Sequence, residues 1–365
     1  MNEKDKVAIE RIESEVSKID KKENKIFFFV LDTKGNPSGS LEYIYKLAKI
    51  LHDNEYNVTM LYQLADKEDF VGVGEWLGEN YASLNHEDIA SNEVNVSPSD
   101  VLFIPEIFSN IMVQTKNLPC KRIALMQNYD YVLEQMPIAS QWGDLGIMEA
   151  LTNSDLNGAL IKSIFPYVKT YTVNPYIDNM YGNTSEPKKM IINIISREQS
   201  DINKIIKPFY WKYPMYKWVS FRDLRGFPKE IYSQYLREAA ITIWVDEDTS
   251  FGYGALEAMK SGSIVISKRT NLTQEWMEGE NETTLSNCCV WFDSFHEVHK
   301  IIASVVRAFI TDNVPNDIED AVKPIIEKYT YDNTKEMLLT YMEGVLSNRK
   351  NEMKSLITQI KEREK

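Results

Sequence analysis

One glycine-rich segment of the chain combines residue types that bind phosphate in other proteins. It runs from Thr249 to Ser267, follows an apolar run, and carries Gly252 and Gly254 ahead of a predicted helix over about 255–260. Glycines let the backbone approach a ligand closely, and the N–H groups at a helix start attract a diphosphate. Glu257 is expected in the first helical turn, where a carboxylate can accept hydrogen bonds from ribose hydroxyls. A tight strand-to-helix turn with a capping glutamate fits the same pattern, so the residues alone leave both interpretations open.

The segments around this turn alternate between strands and helices, which is typical of parallel α/β sheets. A length of 365 residues favours two domains. The first series predicts strands at 26–31, 57–62, 101–104, 122–126, 150–152 and 168–173, with helices at 41–51 and 156–165. The second predicts strands at 190–195, 218–221, 240–245 and 263–267, a helix at 229–239, and closing helices at 295–311, 317–328 and 333–362. The polar, turn-rich residues 179–189 are the expected linker between the two series.

The first 24 residues are highly charged and predict a helix with a narrow apolar stripe. The stripe consists of Ile9, Ile12, Val16 and Ile19. It suits a helix docked on its own domain. A coiled coil with a partner protein is the alternative, but the segment offers few heptads.

Composition excludes several classes of protein. Lys and Arg total 41 and Asp and Glu total 54, so the net charge of −13 argues against nucleic acid as a partner. The three cysteines form no CxxC pair and no cluster with histidine, which argues against a disulfide framework and against a metal site. No signal peptide and no apolar run of transmembrane length is apparent, so we expect a soluble cytoplasmic protein.

The glycine-rich segment resembles the E-x7-E region of retaining glycosyltransferases of family 4. Gln274-Glu275-Trp276 looks like the downstream glutamate of that family, and residues 38–51 are similar to its N-terminal glycine loop and helix. The likeness extends to residues 54–59, 151–154 and 173–178, so it covers about residues 26–346. Its layout is similar to that of a compact rhamnosyltransferase-like subgroup. The residues that match the pattern of the E-x7-E region are Phe251, Gly252, Leu256, Glu257, Ala258, Met259 and Gly262.

The resemblance implies an α/β protein of the GT-B fold, with two Rossmann-like domains facing across a cleft and a C-terminal helix that returns to the first domain. The implied organisation is an N-terminal helix at 1–24, an acceptor domain at 25–178, the linker at 179–189, a nucleotide-sugar domain at 190–330 and the returning helix at 331–365. The donor is a nucleoside diphosphate sugar, and members generally work without a bound metal or cofactor, because side-chain cations and helix amides neutralise the diphosphate.

The resemblance assigns the catalytic groups to the second domain. Arg197 ends a predicted strand at the position where members of the family bind the diphosphate. A guanidinium can bind phosphate through two parallel donors. The partner lysine is assigned to Lys204, with Lys207 as the next candidate, and a solvent-facing position without a ligand is the alternative for Lys204. Glu257 is assigned to the ribose. Thr249 stands where the family carries its first glutamate, which contacts the donor sugar. The other implied donor-binding residues are Ser38, Gly39, Arg222, Gly252, Tyr253, Gly254 and Ala255. A surface charge is the alternative for Arg222.

The acceptor side is assigned to the first domain. Gln127 and Asn128 follow a strand where many members carry histidine, and an amide can bond sugar hydroxyls without acting as a base. The ring of Tyr129 can pack on a sugar, with loop packing as the alternative, and Glu106 ends a neighbouring strand.

These assignments predict transfer of a hexose-type unit to a hydroxyl acceptor such as a glycan or polysaccharide. The resemblance implies retention of anomeric configuration, and with no evident general base the departing diphosphate takes the acceptor proton. Two alternatives are a nucleotide-sugar-binding protein without turnover, which Thr249 supports, and a DNA-base glycosyltransferase, which the net charge opposes.

Overall fold

The chain divides into two compact units in a computed structural model that describes residues 3–64, 69–91, 94–138, 140–182, 187–246, 251–277, 287–314 and 316–362. Unit 1 comprises Met1–Val173 and Lys335–Lys365, and unit 2 comprises Asn174–Thr334. The division thus precedes the expected linker. Within that segment Asn179–Tyr181 form a short 3-10 helix of unit 2, and Lys189 begins the first strand of that unit.

Unit 1 is built on a parallel sheet whose described strands are seven, in the order β3-β2-β1-β4-β5-β6-β7. The strands are β1 (Lys25–Phe29), β2 (Asn57–Tyr62), β3 (Asn85–Asp88), β4 (Val101–Pro105), β5 (Lys121–Met126), β6 (Glu149–Thr152) and β7 (Lys169–Thr172). The helices are α1 (Glu3–Ser17), α2 (Gly39–Asp53), α3 (Gly74–Leu77), α4 (Glu79–Ala82), α5 (Ser109–Gln114), α6 (Tyr129–Gln135) and α7 (Asp155–Ile164).

The central strands of this sheet are buried on both faces, as their continuous apolar runs predict. Side chains alternate along a strand, so Phe27 and Phe29 join one core cluster with Trp142. Phe28 has the opposite orientation and stacks on Phe103, with 4.7 Å between the ring centroids.

Unit 2 is built on a parallel sheet with the described strand order β12-β11-β10-β8-β9. Its strands are β8 (Lys189–Ser196), β9 (Ser220–Asp223), β10 (Ala239–Val245), β11 (Ile264–Lys268) and β12 (Val290–Phe292). Its helices are α8 (Gln199–Lys212), α9 (Lys229–Glu238), α10 (Tyr253–Lys260), α11 (Phe295–Ile310) and α12 (Asn316–Lys328). One core cluster joins the sheet to α8 and α11, and a second joins it to α9 and α10. The predicted α/β class is therefore confirmed.

The last helix, α13 (Tyr331–Glu362), belongs to unit 1 from Lys335 onward, as the predicted fold requires. Leu338, Tyr341 and Val345 of its apolar stripe are buried. The Tyr341 hydroxyl donates to Glu149 Oε1 at 2.7 Å, and the Arg349 guanidinium donates to the carbonyl of Pro98. These bonds tie the helix to the end of the sheet and to a loop before β4.

The N-terminal helix α1 uses its apolar stripe within unit 1. Val16 and Ile19 form a buried cluster with Met353 of α13, and Ile12 and Leu346 pack against it. The structure thus supports docking on the helix's own domain over a coiled coil with a partner.

The strand order reverses once in each sheet, because β4 pairs with β1 in unit 1 and β10 pairs with β8 in unit 2. In open α/β sheets, ligands bind outside the carboxyl ends of the strands at such a reversal. The two reversals therefore mark where each unit would hold a ligand.

Candidate functional site

Arg197 and Asp246 lie side by side at the strand reversal of unit 2. Arg197 follows β8 and Asp246 follows β10, the two strands between which the order reverses. Arg197 Nη2 lies 3.0 Å from Asp246 Oδ2, and the arginine side chain is 60% exposed. A cation is thus held at the carboxyl edge of the sheet with its guanidinium accessible to solvent.

The glycine-rich turn that follows β10 is shaped by two tryptophans. Gly252 has φ +83°, and a Cβ there would lie 2.6 Å from a ring carbon of Trp276 and 2.9 Å from one of Trp244. The Trp276 indole N–H donates to the carbonyl of Phe251 at 2.6 Å, which fixes the turn. Glycine is therefore required here by the left-handed backbone and by packing.

The amides at the start of α10 are used in part by the turn itself. The Ala255 N–H donates to the Gly252 carbonyl at 3.2 Å, and that of Leu256 does so at 3.3 Å. Gly254 packs tightly, because a Cβ there would lie 3.3 Å from Ile195 of β8. Tyr253 is the first residue of the helix, and its ring centroid lies 5.0 Å from that of Phe251.

The expected position of Glu257 in the first helical turn is wrong. Helix α10 begins at Tyr253, so Glu257 is its fifth residue and lies in the second turn. The left-handed Gly252 lets the helix start two residues earlier than the sequence pattern suggests. The Glu257 side chain is buried. Helical side chains point toward the N-terminus of their helix, so the carboxylate leans toward the same edge of the sheet.

Lys204 lies on α8 with contacts of its own. Its Nζ is 2.9 Å from Asp201 Oδ1 and 4.8 Å from the centroid of the Phe295 ring on α11. Neither contact involves Arg197 or the glycine-rich turn, so the pairing of Lys204 with Arg197 stays a prediction.

Arg222 lies on the α9 side of the sheet instead of at its carboxyl edge. Its guanidinium stacks 3.8 Å from the centroid of the Tyr235 ring and pairs with Glu238 Oε2 at 3.2 Å. It is placed there because it is aligned with Asn193, whose amide donates to the Tyr235 carbonyl on the same face. The sequence-based assignment of Arg222 to the ligand therefore receives no support from its contacts.

Arg225 is a cation at the carboxyl edge that the sequence analysis did not name as a site residue. It follows β9, holds Asp223 through two nitrogens, and donates to Gln199 at the start of α8. The sequence around a charged residue in a turn carries no signal of the direction in which its side chain points.

Ser38 and Gly39 begin a helix of unit 1. Ser38 is the N-cap of α2, and its hydroxyl accepts from the Leu41 N–H at 3.4 Å. The loop before it is fixed by Asp32, whose carboxylate accepts from the N–H groups of Val71 and Gly72 at 2.9 and 3.2 Å. Ser38 thus caps α2, and Gly39 is the first residue of that helix. The role of both residues toward a donor is an untested prediction.

Glu106 is a buried carboxyl group at the end of β4. Its Oε1 accepts from the N–H groups of Gln127 and Asn128 at 3.0 and 2.7 Å. Its Oε2 is buried and has no hydrogen-bond partner among the described residues. Burial raises the pKa of Glu106 to about 7, although the two N–H donors act in the opposite direction. Sequence reasoning found this residue but not its environment.

Gln127 and Asn128 belong to a buried polar cluster with two residues that the sequence analysis missed as site residues. The amides of Asn153 and Asn157 donate to the Gln127 carbonyl at 3.2 and 3.0 Å. The Asn128 side chain caps α6 by accepting from Asp130 at 3.0 Å. Tyr129 packs on the core of unit 1, as the loop-packing alternative proposed. The ends of β4, β5 and β6 thus present amide and carboxyl groups together.

A cavity of about 280 Å³ lies at the strand reversal of unit 1. It opens where β1, β2 and β4 end. Its lining residues are Phe29, Val30, Leu31, Gln63, Leu64, Phe108, Asn110 and Ile111. The lining is apolar apart from two amide side chains.

Thr249 lies outside the described residues, so the structure gives no geometry for it. Among the residues that are described, no group of three or more His, Cys, Asp or Glu side chains could hold a metal ion. Within the same ranges, no helix has the length and apolar character needed to span a membrane.

Comparison with solved structures identifies the fold. The chain superposes on HepE from Anabaena in complex with UDP-glucose with a TM-score of 0.62 and 12% identity, covering 88% of this chain and 99% of that one. The fold is GT-B. Sucrose-phosphate synthase from Thermosynechococcus elongatus gives a TM-score of 0.61 at 11% identity, covering 89% of this chain and all of that one. At these identities the likeness concerns the fold alone.

Sequence comparison yields a more limited relationship. No family model matches the chain. An alpha-1,6-glucosyltransferase of Actinobacillus pleuropneumoniae serotype 7 (strain AP76) is 24% identical over 189 residues. That alignment covers 49% of this chain and 55% of the relative, so the chain spans about half the length of the protein that it matches.

Proposed function

We propose that this protein is a glycosyltransferase that uses a nucleoside diphosphate sugar as donor. The observation that carries the proposal is the position of Arg197 beside Asp246, at the point where the strand order of unit 2 reverses. Gly254, at the start of α10, lies against Ile195 near the end of the same strand that Arg197 follows. A strand reversal, a cation and a helix N-terminus together make a site for a diphosphate.

Arg197 binds the diphosphate in this proposal and stabilises the charge that develops on it as the glycosidic bond breaks. The start of α10 contributes the positive end of its helix dipole. Arg225 lies at the carboxyl edge of the neighbouring strand and adds a second cation to the same edge. Lys204 is proposed as a further cation, and this role would require it to leave Asp201.

Glu257 is proposed to bind the ribose hydroxyls from the second turn of α10. Its burial favours a carboxylate that is held in one orientation. Tyr253, Gly254 and Ala255 line the turn beside it, and Thr249 is proposed to meet the donor sugar. Ser38 and Gly39 are proposed donor-binding residues as well.

Uridine is the proposed base and a hexose the proposed sugar. The solved structure of HepE contains UDP-glucose, and that of the pneumococcal O-GlcNAc transferase GtfA, with a TM-score of 0.59 at 8% identity, contains UDP and GlcNAc. The sequence relative is named as a glucosyltransferase. We propose retention of configuration without a resident metal, with the departing diphosphate taking the proton of the acceptor.

The acceptor hydroxyl is proposed to bind in unit 1 near Glu106. The unpartnered Glu106 Oε2 and the buried side-chain oxygen of Gln127 both lack a donor among the described residues. Two acceptor oxygens at one strand edge suit a molecule that brings its own hydroxyl groups, such as a glycan. Asn128 and Tyr129 complete this side.

A thermal-shift series tests the proposal, because a ligand that binds the folded state raises its melting temperature. UDP-, GDP-, dTDP- and ADP-sugars are compared, and donor hydrolysis is measured with each ligand that stabilises the protein. The proposal expects stabilisation by a UDP-sugar together with slow release of free sugar. Stabilisation without transfer or hydrolysis would favour a nucleotide-sugar-binding protein, and no stabilisation by any of the four would overturn both.

A further inference from the structure

One stretch of unit 2 differs in charge from the rest of the chain. Residues 202–222 contain no Asp or Glu, in a protein whose net charge is −13. The same stretch contains the cations Lys204, Lys207, Lys212, Lys217 and Arg222 and the aromatic residues Phe209, Tyr210, Trp211, Tyr213, Tyr216, Trp218 and Phe221. It comprises most of α8, the 3-10 turn Pro214–Tyr216 and most of β9.

The inner rings of this stretch form a fixed base. Phe209 is fully buried, and its ring centroid lies 5.9 Å from that of Tyr216 and 5.4 Å from that of Phe221. The Tyr210 hydroxyl donates to the Val219 carbonyl at 2.5 Å. The turn after α8 is therefore held rigidly against the core of the unit.

The outer residues of the stretch are large, apolar and exposed. Trp211 is 77% exposed, Met215 65% and Trp218 54%. The chain has seven tryptophans, and the other five are buried or half-buried. Two exposed tryptophans and a methionine within eight residues form a patch that the packing of the unit does not explain. We call it the Trp211–Trp218 patch.

Cations surround the Trp211–Trp218 patch. Lys207, Lys212 and Lys217 are exposed. The ring of His299 on α11 lies 6.2 Å from that of Tyr213. Burial lowers the pKa of His299, and the nearby positive charges of Lys300 and Lys212 lower it further. Lys300 follows His299 on α11 and is exposed, so it adds a cation near Lys212. The patch thus pairs apolar rings with positive charge from two helices.

The Trp211–Trp218 patch lies at the opposite edge of the unit 2 sheet from Arg197. Helix α8 starts at the carboxyl end of β8 and leads to the amino end of β9, so its last turn and the following loop are at the amino edge. A partner bound to the patch at the amino edge would leave the carboxyl edge of the sheet accessible.

We propose that the Trp211–Trp218 patch is a membrane-surface anchor that binds bilayers containing anionic lipid. Tryptophan and tyrosine concentrate at the membrane interface, where an apolar ring and a polar group are both satisfied. Exposed lysines next to inserted apolar side chains suit anionic headgroups. The cations favour a negatively charged surface over a second copy of this acidic chain. The proposal is independent of the proposed glycosyl transfer.

Vesicle sedimentation with the full chain tests the anchor. Vesicles of phosphatidylcholine alone are compared with vesicles that also contain phosphatidylglycerol, at low and high salt. We expect binding to the anionic vesicles, weakened by salt, and little binding to the neutral ones. Exchange of Lys212 and Lys217 for Glu should lower the partition coefficient more than tenfold, since each lysine contributes roughly fivefold. The matched control exchanges the exposed lysines Lys116 and Lys162 of unit 1 for Glu, and it should bind like the wild type with at most a small loss.

A second measurement distinguishes insertion of the tryptophans into the bilayer from electrostatic attraction to its surface. Brominated lipids quench tryptophans that enter the bilayer, so they should quench the wild type. The double variant Trp211→Phe, Trp218→Phe should still sediment with the vesicles but lose that quenching. The double variant Trp211→Ser, Trp218→Ser should lose binding, whereas Leu133→Ser, an exposed apolar control in unit 1, should not.

Three outcomes would overturn the anchor. The first is failure of the wild type to bind anionic vesicles. The second is equal binding by the wild type and the Trp211→Ser, Trp218→Ser variant. The third is a concentration-dependent dimer, or binding to single-stranded RNA, that the serine variant abolishes while vesicle binding persists.

Discussion

Arg197 and Asp246 form a 3.0 Å ion pair across the two strands of unit 2 between which the strand order reverses. An exposed ion pair contributes little to stability. Its position is the informative feature, because the carboxylate holds the guanidinium at the edge where an α/β sheet binds its ligand. Asp246 neutralises part of the charge that a diphosphate would use, so the pair sets how strongly the edge attracts anions.

Asp246→Asn should tighten the binding of a nucleoside diphosphate severalfold, because it removes a negative charge next to Arg197. Titration calorimetry with UDP at low salt measures the change. Asp317→Asn, which alters an exposed residue of α12, is the control for the loss of one charge. Weaker UDP binding by Asp246→Asn would show that the aspartate itself contributes to the site.

Gly252→Ala should destabilise unit 2 by about 1–3 kcal/mol, because alanine is strained at φ +83° and its Cβ would clash with two tryptophan rings. Gly254→Ala is the matched variant, since its Cβ would meet the Ile195 side chain at a milder 3.3 Å. Urea unfolding compares the two. Equal losses of unfolding free energy in the two variants would mean that the tryptophan rings move readily to make room for a Cβ. The tryptophans would then not fix the turn.

Arg222→Ala should lower the free energy of unfolding by roughly 1–3 kcal/mol, since it removes a stacked guanidinium and one of the partners of Glu238. It should leave UDP affinity unchanged. Arg225→Ala should behave in the opposite way, with weaker UDP binding and little loss of stability. Unfolding curves and calorimetry on both variants decide the assignment, and a loss of affinity in Arg222→Ala with normal stability would restore Arg222 to the ligand.

Glu106→Gln should change how stability depends on pH. The folded protein holds the Glu106 proton up to about pH 7, whereas the unfolded chain releases it near the ordinary value of 4.5. Glu106 therefore contributes a loss of stability as pH rises from about 4.5 to about 7, because its carboxyl group binds more protons in the folded state. Glu106→Gln cannot titrate and should lack this loss.

Urea unfolding at about pH 5 and about pH 8 tests the Glu106 prediction. Glu134→Gln, at an exposed position on α6, is the control. The same change of unfolding free energy with pH in the wild type and Glu106→Gln would mean that Glu106 ionises freely in the folded protein.

The sequence predicted most strands because their apolar runs are continuous and bounded by turn residues. The strand at Asn57–Tyr62 has the predicted bounds. Strand β3 was missed because Asn85–Asp88 is entirely polar, and β12 because it has three residues. Helix α8 was missed as an element because Pro208 interrupts its pattern, although the helix continues through it.

The site was predicted less completely than the fold. Arg197 and Glu106 could be placed at the carboxyl edge because each comes at the end of a buried strand, and a strand end has a defined place in a parallel sheet. Their roles toward a ligand stay predictions. The start of α10, the orientation of Arg222, and the roles of Asp246 and Arg225 depend on side-chain direction. Tertiary contacts decide that direction, and no local pattern encodes it.

Calorimetric titration of UDP into the wild type, Arg197→Ala and Arg307→Ala tests the central claim most directly. Arg307 is exposed on α11 and controls for the loss of one cation, and circular dichroism verifies that all three are folded. Loss of a charged hydrogen-bond donor to phosphate should weaken UDP binding by at least about tenfold in Arg197→Ala and leave it unchanged in Arg307→Ala. Equal UDP affinity in the wild type and a folded Arg197→Ala would contradict a diphosphate site at the strand reversal of unit 2.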